Sequence, residues 1–583
     1  MNVVTRAFSR VDAGVLRLWD GLDRARLLRL AMWAGPFVAG LVSMALGQDA
    51  NWDLRNYHWY NPYAFLNDKI GFDLNPGQFQ SYFNPTIDLL YYGLASHFPT
   101  RVTGFVMGFL HGFNFVLLVL IVRQVLGAGE PAALATTRYR LPLLLGVAGC
   151  MGFSFLTQLG NTMGDNLTSL TVLGAIALLL RQWPQLLAGG ARAALIAALA
   201  GLIIGAGTGL KLTNANYALA LCLALLTLRV SLWRRFSTAF VFGLGTLAGI
   251  GATAGHWYWL MWTQFGNPLF PQFNNIFKAP LASQIAVADM GWVPKNALEA
   301  LLWPFIFTFN SRRVIELPMT QIIWPLLYIA FLALIAQRLR RLWLAAPGPA
   351  PASGIATAGE TPGARLLLVF FALSYLIWLK LFGIYRYMVP LELLAPLVLW
   401  LLLHRLCSLP VARAIGAWCI VLSAIAGLPR VDWGHHYNGE KSFTVQVPAF
   451  AEPEQSMVFT VHGDPPMSWL VPSFPNRLAF AALGSGFPES PAFAERVAQM
   501  VAARRGPLYV MITAPGLPLG PRRGAAALEP ETAQRLRRLY DAGQQVLGRY
   551  QLGFDEASCV VYDARFGGGA SDPYQLCEAA RLP

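Results

Sequence analysis

The chain has 583 residues, of which 55% are hydrophobic and only 13% charged, with a mean hydropathy of +0.47 and a formal net charge of +14. Soluble domains carry about 25% charged residues, so the composition excludes an ordinary soluble protein and implies an integral membrane one. The positive excess would suggest nucleic acid in a soluble chain; here basic loops facing anionic headgroups account for it, and nucleic acid is not expected as a partner.

Arg6, Arg10, Arg17, Arg24 and Arg26 precede an apolar run long enough to remain as a span, so no cleavable signal is expected. Apolar runs long enough to cross fall near residues 28–47, 101–122, 141–158, 165–182, 193–210, 214–229, 237–257, 321–337, 365–383, 387–404 and 412–429, which makes about eleven spans. Lys and Arg cluster in every second loop: after the N-terminal set come Arg123, Arg138 and Arg140, then Arg181 and Arg192, then Arg229, Arg234 and Arg235. Arg338, Arg340, Arg341 and Arg365 continue the set, which Arg405 and Arg413 close. The register predicts a multi-pass protein of the cell inner (plasma) membrane with its N-terminus cytoplasmic. The 48–100 loop, the turns at Asp165 and Lys211, the 257–320 loop and the Tyr385-Arg386-Tyr387 turn are then extracytoplasmic, as is everything after residue 428. The Pro/Ala/Gly segment 346–364 reads as a cytoplasmic linker. Segment 296–309 reads as a re-entrant or interfacial helix; as a full span it would put the C-terminus inside.

The first outer loop, 48–100, is dense in Asp, Asn, Tyr and Trp. Asp53, Asn56, Tyr57 and Tyr60 follow i, i+3, i+4, i+7 spacing, which in an α-helix puts a carboxylate, an amide and two phenols on one face. That is poor core material and good material for a polar ligand. A general base must be held near an acceptor hydroxyl and kept charged, and Asn56, Tyr57 and His58 are expected as donors to Asp53, with Arg55 as counter-charge. A solvated or capping carboxylate is the plainer alternative. Asn61-Pro62, Asn75-Pro76 and Asn84-Pro85 each favour a helix boundary. Ile87, Leu90, Tyr91 and Leu94 fall at helical spacing in a segment too short to span, so interfacial helices are expected in this loop.

Further along, Asp165 in QLGNTMGDNLTSL stands at the entry of a span, where it either caps the helix or serves a function. Lys211 and Arg386 break apolar sequence at outer helix ends, against the positive-inside trend. A lipid phosphate would account for them; snorkelling, or pairing with Glu392, would do so without a ligand. Arg312 and Arg313 in the long outer loop pose the same choice. Trp257, Trp259 and Trp262 read as an interfacial belt. Few ionisable residues lie within the spans, which argues for chemistry at the outer face rather than passage through the membrane.

Residues 1–430 thus form a transmembrane domain and 431–583 a separate extracytoplasmic one. In the latter, SMVFTVHG and GPLYVMIT read as buried strands, with PAFAERVAQMVAARR and ETAQRLRRLYDAGQQVL as amphipathic helices, giving a small α/β unit. His462, Gly463 and Asp464 follow its first strand without a nucleophile, phosphate or metal motif. Cys559 and Cys577 form a disulfide if this region faces an oxidising compartment, a pairing that spacing leaves open. Cys150, Cys222, Cys407 and Cys419 read as small buried hydrophobes.

The layout over about residues 28–430 resembles the GT-C superfamily of membrane glycosyltransferases, such as protein O-mannosyltransferases and aminoarabinose transferases. The resemblance lies in Asp53 within WDLRNYHWYNPY, the interfacial helices after it, the acidic turn Gly164-Asp165, and the segments GLKLT, FGNPLFP and IYRY. It implies a mostly α, polytopic fold and transfer of a sugar from a polyprenyl-phosphate-linked donor to a lipid, glycan or protein acceptor. Asp53 would act as base in an inverting attack, with Asn56, Tyr57, Tyr60 and Tyr385 shaping the substrate site. Lys211, Arg386 and Arg312 or Arg313 would hold the lipid phosphate, and Asp165 would orient the acceptor or hold a divalent metal if one is used. Asp53 lacks the adjacent second carboxylate that some members carry. A transporter or flippase of a lipid-linked glycan, and a non-catalytic envelope-assembly protein, are the alternative readings.

Overall fold

The computed structural model describes residues 21–127, 138–287, 289–344, 362–522 and 528–582. Arg6, Arg10, Arg17 and most of the 346–364 linker lie outside them. The chain is mostly helical, with a small strand-containing region at its C-terminal end. The membrane-type helices and the pieces between them are α1 (Ala25–Leu46), α2 (Tyr60–Leu66), α3 (Leu89–His97), α4 (Thr100–Gly127), α5 (Arg140–Cys150), α6 (Phe153–Thr157), α7 (Asp165–Arg181) and α8 (Trp183–Ala188). They continue as α9 (Gly190–Leu210), α10 (Ala215–Leu225), α11 (Leu232–Phe265), α12 (Ala297–Phe309), α13 (Ile323–Leu344), α14 (Pro362–Leu381), α15 (Val389–Leu406) and α16 (Leu409–Gly427).

Among the described residues seven helices, α1, α4, α9, α11, α13, α14 and α15, are long and apolar enough to cross a membrane. The other expected spans fall on shorter helices. The 141–158 run, for example, breaks at Gly152 between α5 and α6, where the Glu392 carboxylate comes within 2.6 Å of the place a Cβ would occupy. Helix α12 has 13 residues, about 20 Å, short of the ~30 Å hydrocarbon core.

Helix α15 is apolar on every face and is correspondingly buried along nearly its whole length, packed by α5, α7, α13, α14 and α16. Helices α9 and α11 approach through glycines: a Cβ at Gly201 or Gly205 would stand 2.1 Å from the Phe242 or Thr246 carbonyl oxygen, and one at Gly245 2.2 Å from that of Ala198. Small residues at four-residue spacing permit that backbone contact in a lipid setting, where apolar burial alone does not select partners.

After α16 comes a seven-stranded sheet whose order is β5 (Ala479–Ala482), β4 (Met457–Thr460), β6 (Leu508–Thr513), β11 (Tyr574–Arg581), β9 (Val560–Tyr562) and β7 (Gly520–Pro521), with β8 (Leu552–Phe554) also on β11. Strands β3 (Phe443–Val445) and β10 (Ala564–Phe566) pair separately. Strands β4, β5 and β6 are parallel and β11 runs antiparallel to β6. The two expected strands are β4 and β6. The two expected amphipathic helices are α17 (Pro491–Ala502) and α18 (Pro530–Gly548). Cys559 and Cys577 are disulfide-bonded; the other four cysteines are free.

This tail is seated on the 48–100 loop. Strand β1 (Gln48–Asp49) pairs antiparallel with β2 (His435–His436), and Leu74 bridges the free edge of β5, its N–H donating to Phe480 O at 2.9 Å while its carbonyl accepts from Ala482 N at 3.0 Å. An exposed sheet edge is thereby covered.

Several expectations about the loops are corrected. A helix does start at Asn61-Pro62, with Pro62 in the first turn of α2, but Asn61 is not its cap: α2 begins at Tyr60 and the Asn61 amide donates to the carbonyls of Gln80 and Phe83. Asn84 does cap a turn, its Oδ1 accepting from Thr86 N at 3.1 Å. Helix α3 buries Tyr91 and Ala95 rather than Leu90, which is exposed. Trp257 is core, donating to Tyr82 O at 3.0 Å, whereas Trp259 and Trp262 are exposed as a belt requires.

Candidate active site

The site begins with the way the 48–58 segment is held. Asp49 accepts from Asn51 Nδ2 at 2.7 Å and from Thr162 N and Oγ1 at 2.8 Å, and Asn51 Oδ1 accepts from Leu54 N at 2.8 Å. These bonds tie the start of the next turn to the loop before α7. The turn itself, Leu54–His58, is π-helical, with Asp53 as its leading residue. A π-turn has more residues per turn than an α-helix, so the expected common face is lost. Tyr60 leaves the site and donates its hydroxyl to Asp73 Oδ2 at 3.0 Å, inside an aromatic cluster with Tyr63.

Asp53 is buried, and its Oδ2 accepts from Arg386 Nη1 at 2.8 Å. Burial opposes its charged form, but the Arg386 guanidinium, with His58 and Lys211 behind it, holds the carboxyl below its ordinary value of 3.8. A second pair lies alongside: Lys211 Nζ donates to Asp165 Oδ1 at 2.7 Å and to Met163 O at 2.5 Å. Gly164 precedes Asp165 in a left-handed conformation, with Ile87 2.8 Å from where a Cβ would stand, so glycine fits both the backbone and the space. Arg386 and Lys211 flank one aromatic ring, that of Tyr387, at 5.4 and 5.2 Å from its centroid.

A third pair was missed by sequence reasoning. His58 Nδ1 lies 2.7 Å from Asp88 Oδ1, both buried. Burial raises Asp88 above the ordinary carboxylate value, with His58 opposing it. Tyr57 lies tilted against His58, ring centroids 4.0 Å apart, and meets Phe83 edge-on; burial and then the charge of Asp53 push its phenol well above the usual tyrosine value.

Three carboxylates and three basic groups are therefore gathered from five stretches of chain. Several of their polar atoms are buried without a protein partner: Arg386 Nε, Asp165 Oδ2, His58 Nε2 and both amide atoms of Asn56. Buried polar groups are normally hydrogen-bonded, so these atoms suit a polar ligand. They offer donors to an anion and a carboxylate able to take a proton.

Other expected site residues lie elsewhere. Arg55 turns away from Asp53 to pair with Asp572 and stack on Phe566 at 4.8 Å. Tyr385 points into the core, accepting from Trp324 Nε1 at 2.8 Å and donating to Glu392 Oε1 at 2.9 Å; Glu392 thus serves Tyr385 and not Arg386. Arg313 pairs with Glu299 at 2.6 Å and lies over Trp303, and Arg312 is exposed beside it. Asp464 accepts from Trp52 Nε1 at 3.0 Å, so the strand-end loop of the tail braces the residue next to Asp53. Among the described residues no group of three or more His, Cys, Asp or Glu side chains is placed to hold a metal ion, and Asp165 Oδ1 is engaged by Lys211.

No protein-family model, curated protein or solved structure matches the chain.

Proposed function

We propose that the chain transfers a sugar from a polyprenyl-phosphate-linked donor to an acceptor hydroxyl at the extracytoplasmic face of the membrane. The observation that carries this reading is the buried Asp53–Arg386 pair beside the Asp165–Lys211 pair, a base and two cations drawn together from distant helix ends. An eleven-crossing path with the N-terminus inside, in which the shorter helices complete the crossings, puts that cluster outside. The GT-C resemblance supports the same chemistry.

In the proposed step the donor phosphate competes with Asp53 for Arg386 and freed Asp53 turns to the acceptor. The acceptor oxygen attacks the anomeric carbon from the face opposite the phosphate. A carbon–oxygen bond forms as the anomeric carbon–phosphate oxygen bond breaks, with inversion, and the hydroxyl proton passes to Asp53. The leaving polyprenyl phosphate gains charge, which Arg386 and Lys211 stabilise more strongly in the transition state than in the bound donor. The depressed titration of Asp53 keeps it ionised at neutral pH, as a base requires.

The test is the glycan product of cells carrying Asp53→Asn, read by mass spectrometry of lipid-linked and envelope glycans. Loss of a general base lowers the rate by ~10²–10⁴-fold, so product should vanish while the protein stays folded and inserted. Full product in that variant would overturn the reading.

A further inference from the structure

A second site lies at the opposite end of the helix bundle. Helix α15 starts just after Arg386 and ends beside Arg405, and its 18 residues separate the two by about 27 Å. Around Arg405 is a cavity of about 740 Å³, within the ~300–1,000 Å³ range of small-ligand sites. Its wall carries Arg229, Arg338, Arg365 and Arg405, with Leu228 and Trp183 among its apolar lining, and no carboxylate among the described residues.

The four guanidiniums come from four separate pieces of chain: the turn after α10, the second half of α13, the start of α14 and the end of α15. Arginine does not deprotonate in proteins, so Arg229, Arg338 and Arg365 hold three like charges around one partly apolar space, beside Arg405, which has a contact of its own. A general bias of basic residues toward one side of a membrane explains their presence at this end, but not their convergence on a cavity. An anion among them relieves the repulsion and accepts the planar N–H forks in pairs, the geometry that favours phosphate. Trp183 Nε1, buried without a protein partner, supplies a further donor. The apolar lining asks for something besides an anion. It suits the acyl chains of a lipid whose headgroup carries the charge.

We propose that this cavity binds the phosphate headgroup of an anionic phospholipid from the leaflet at that end of the bundle. The site is independent of the reaction at Asp53. Its cations differ from the pair at Lys211 and Arg386, and it would stand if the chain proved not to transfer sugar.

The experiment uses the full chain in phosphatidylcholine nanodiscs, titrated with phosphatidylglycerol and read by native mass spectrometry. A single phosphatidylglycerol should be retained per chain in preference to phosphatidylcholine. Arg338→Gln with Arg365→Gln removes two charge-assisted contacts and should weaken retention by about tenfold or more, while Arg386→Gln leaves it unchanged. Inorganic phosphate in excess should not displace the lipid, since it cannot use the apolar wall. Equal retention of the two lipids, unchanged retention in the double variant, or displacement by inorganic phosphate would each overturn the proposal. If the double variant does not fold, a photoreactive phosphatidylglycerol on the unaltered chain decides. Cross-links at the cavity-facing ends of α13 and α14 support the site, and cross-links confined to other surfaces, or exclusion by the chain's own 345–361 segment, refute it.

Discussion

Two arginine–carboxylate pairs occupy the two large loops, and they differ in what holds them. Arg386 and Asp53 are 333 positions apart, and their 2.8 Å bond is part-buried, the carboxylate being the less exposed partner. Arg313 and Glu299 are 14 positions apart, at the two ends of one short helix, and their 2.6 Å bond is part-exposed. In the sequence both arginines look alike: cations at the edge of apolar runs, open to a phosphate or to nothing. The fold separates them. A local pair needs only the helix between its members, whereas the distant one requires the first loop, α15 and the tail to be in place together. Burying a pair so assembled carries a desolvation penalty, which fits a site retained for reasons other than stability.

The largest test of that contrast is Arg386→Gln set against Arg313→Gln. Losing a group that stabilises charge at the reacting centre lowers the rate by ~10²–10³-fold, so Arg386→Gln should nearly abolish transfer and Arg313→Gln should not. The pH profile sharpens the same point. In the native chain Arg386 holds Asp53 below its ordinary 3.8, so the proposed base is ionised at neutral pH and the acidic limb expected in kcat/KM lies below the usual carboxylate range. Without Arg386, burial acts with less opposition and the limb should move upward. The linked stability follows the same sign: the contribution from the depressed Asp53 is present above its unfolded value and lost as pH falls through the folded one. A limb that stays in place in Arg386→Gln would break the pairing argument.

A smaller effect is expected where the tail grips the first loop. Ser468 Oγ donates to Arg55 O at 3.0 Å and also to Asn56 O, pinning the π-turn that begins at Asp53. Ser468→Ala should cost ~1 kcal/mol of stability for the lost hydrogen bonding, measured by thermal unfolding in detergent. It should also lower kcat more than donor affinity, because the base shifts while the cations stay. An unchanged kcat would show that the turn keeps its place without the tail.

How far the site was legible follows from these residues. Asp53, Asp165, Lys211 and Arg386 stood out because charge interrupts apolar sequence at helix ends, a local signal. The helices α17 and α18 were legible because their burial is periodic, and the strands β4 and β6 because they are short, continuous and largely buried apolar runs. Tyr60 was misassigned because the spacing argument assumes 3.6 residues per turn, and the π-turn at Leu54–His58 breaks that count. Tyr385, next to Arg386 in sequence, points the other way because the 3₁₀ turn Tyr385–Met388 directs its hydroxyl to Glu392. Asp88 and Asp49 gave no signal, since each sits among turn residues and acquires its partner, His58 or Thr162, only through tertiary contact.

The smallest effect belongs to the local pair. Arg313 is held by Glu299 and by the Trp303 ring at 5.0 Å, all within one stretch of chain around α12. Part-exposed ion pairs contribute ~0–1 kcal/mol, so Glu299→Gln should shift the melting temperature little and leave donor binding untouched. The pair then reads as a local clasp across α12, which fixes the turn entering α13. If Glu299→Gln instead lowered affinity for polyprenyl phosphate, Arg313 would have to reach the donor, and the division between a structural loop and a reactive one would fail. The same measurement on Arg312→Gln separates the two arginines, because Arg312 is exposed beside the clasp. Unchanged donor affinity in both variants confines the phosphate contacts to Lys211 and Arg386.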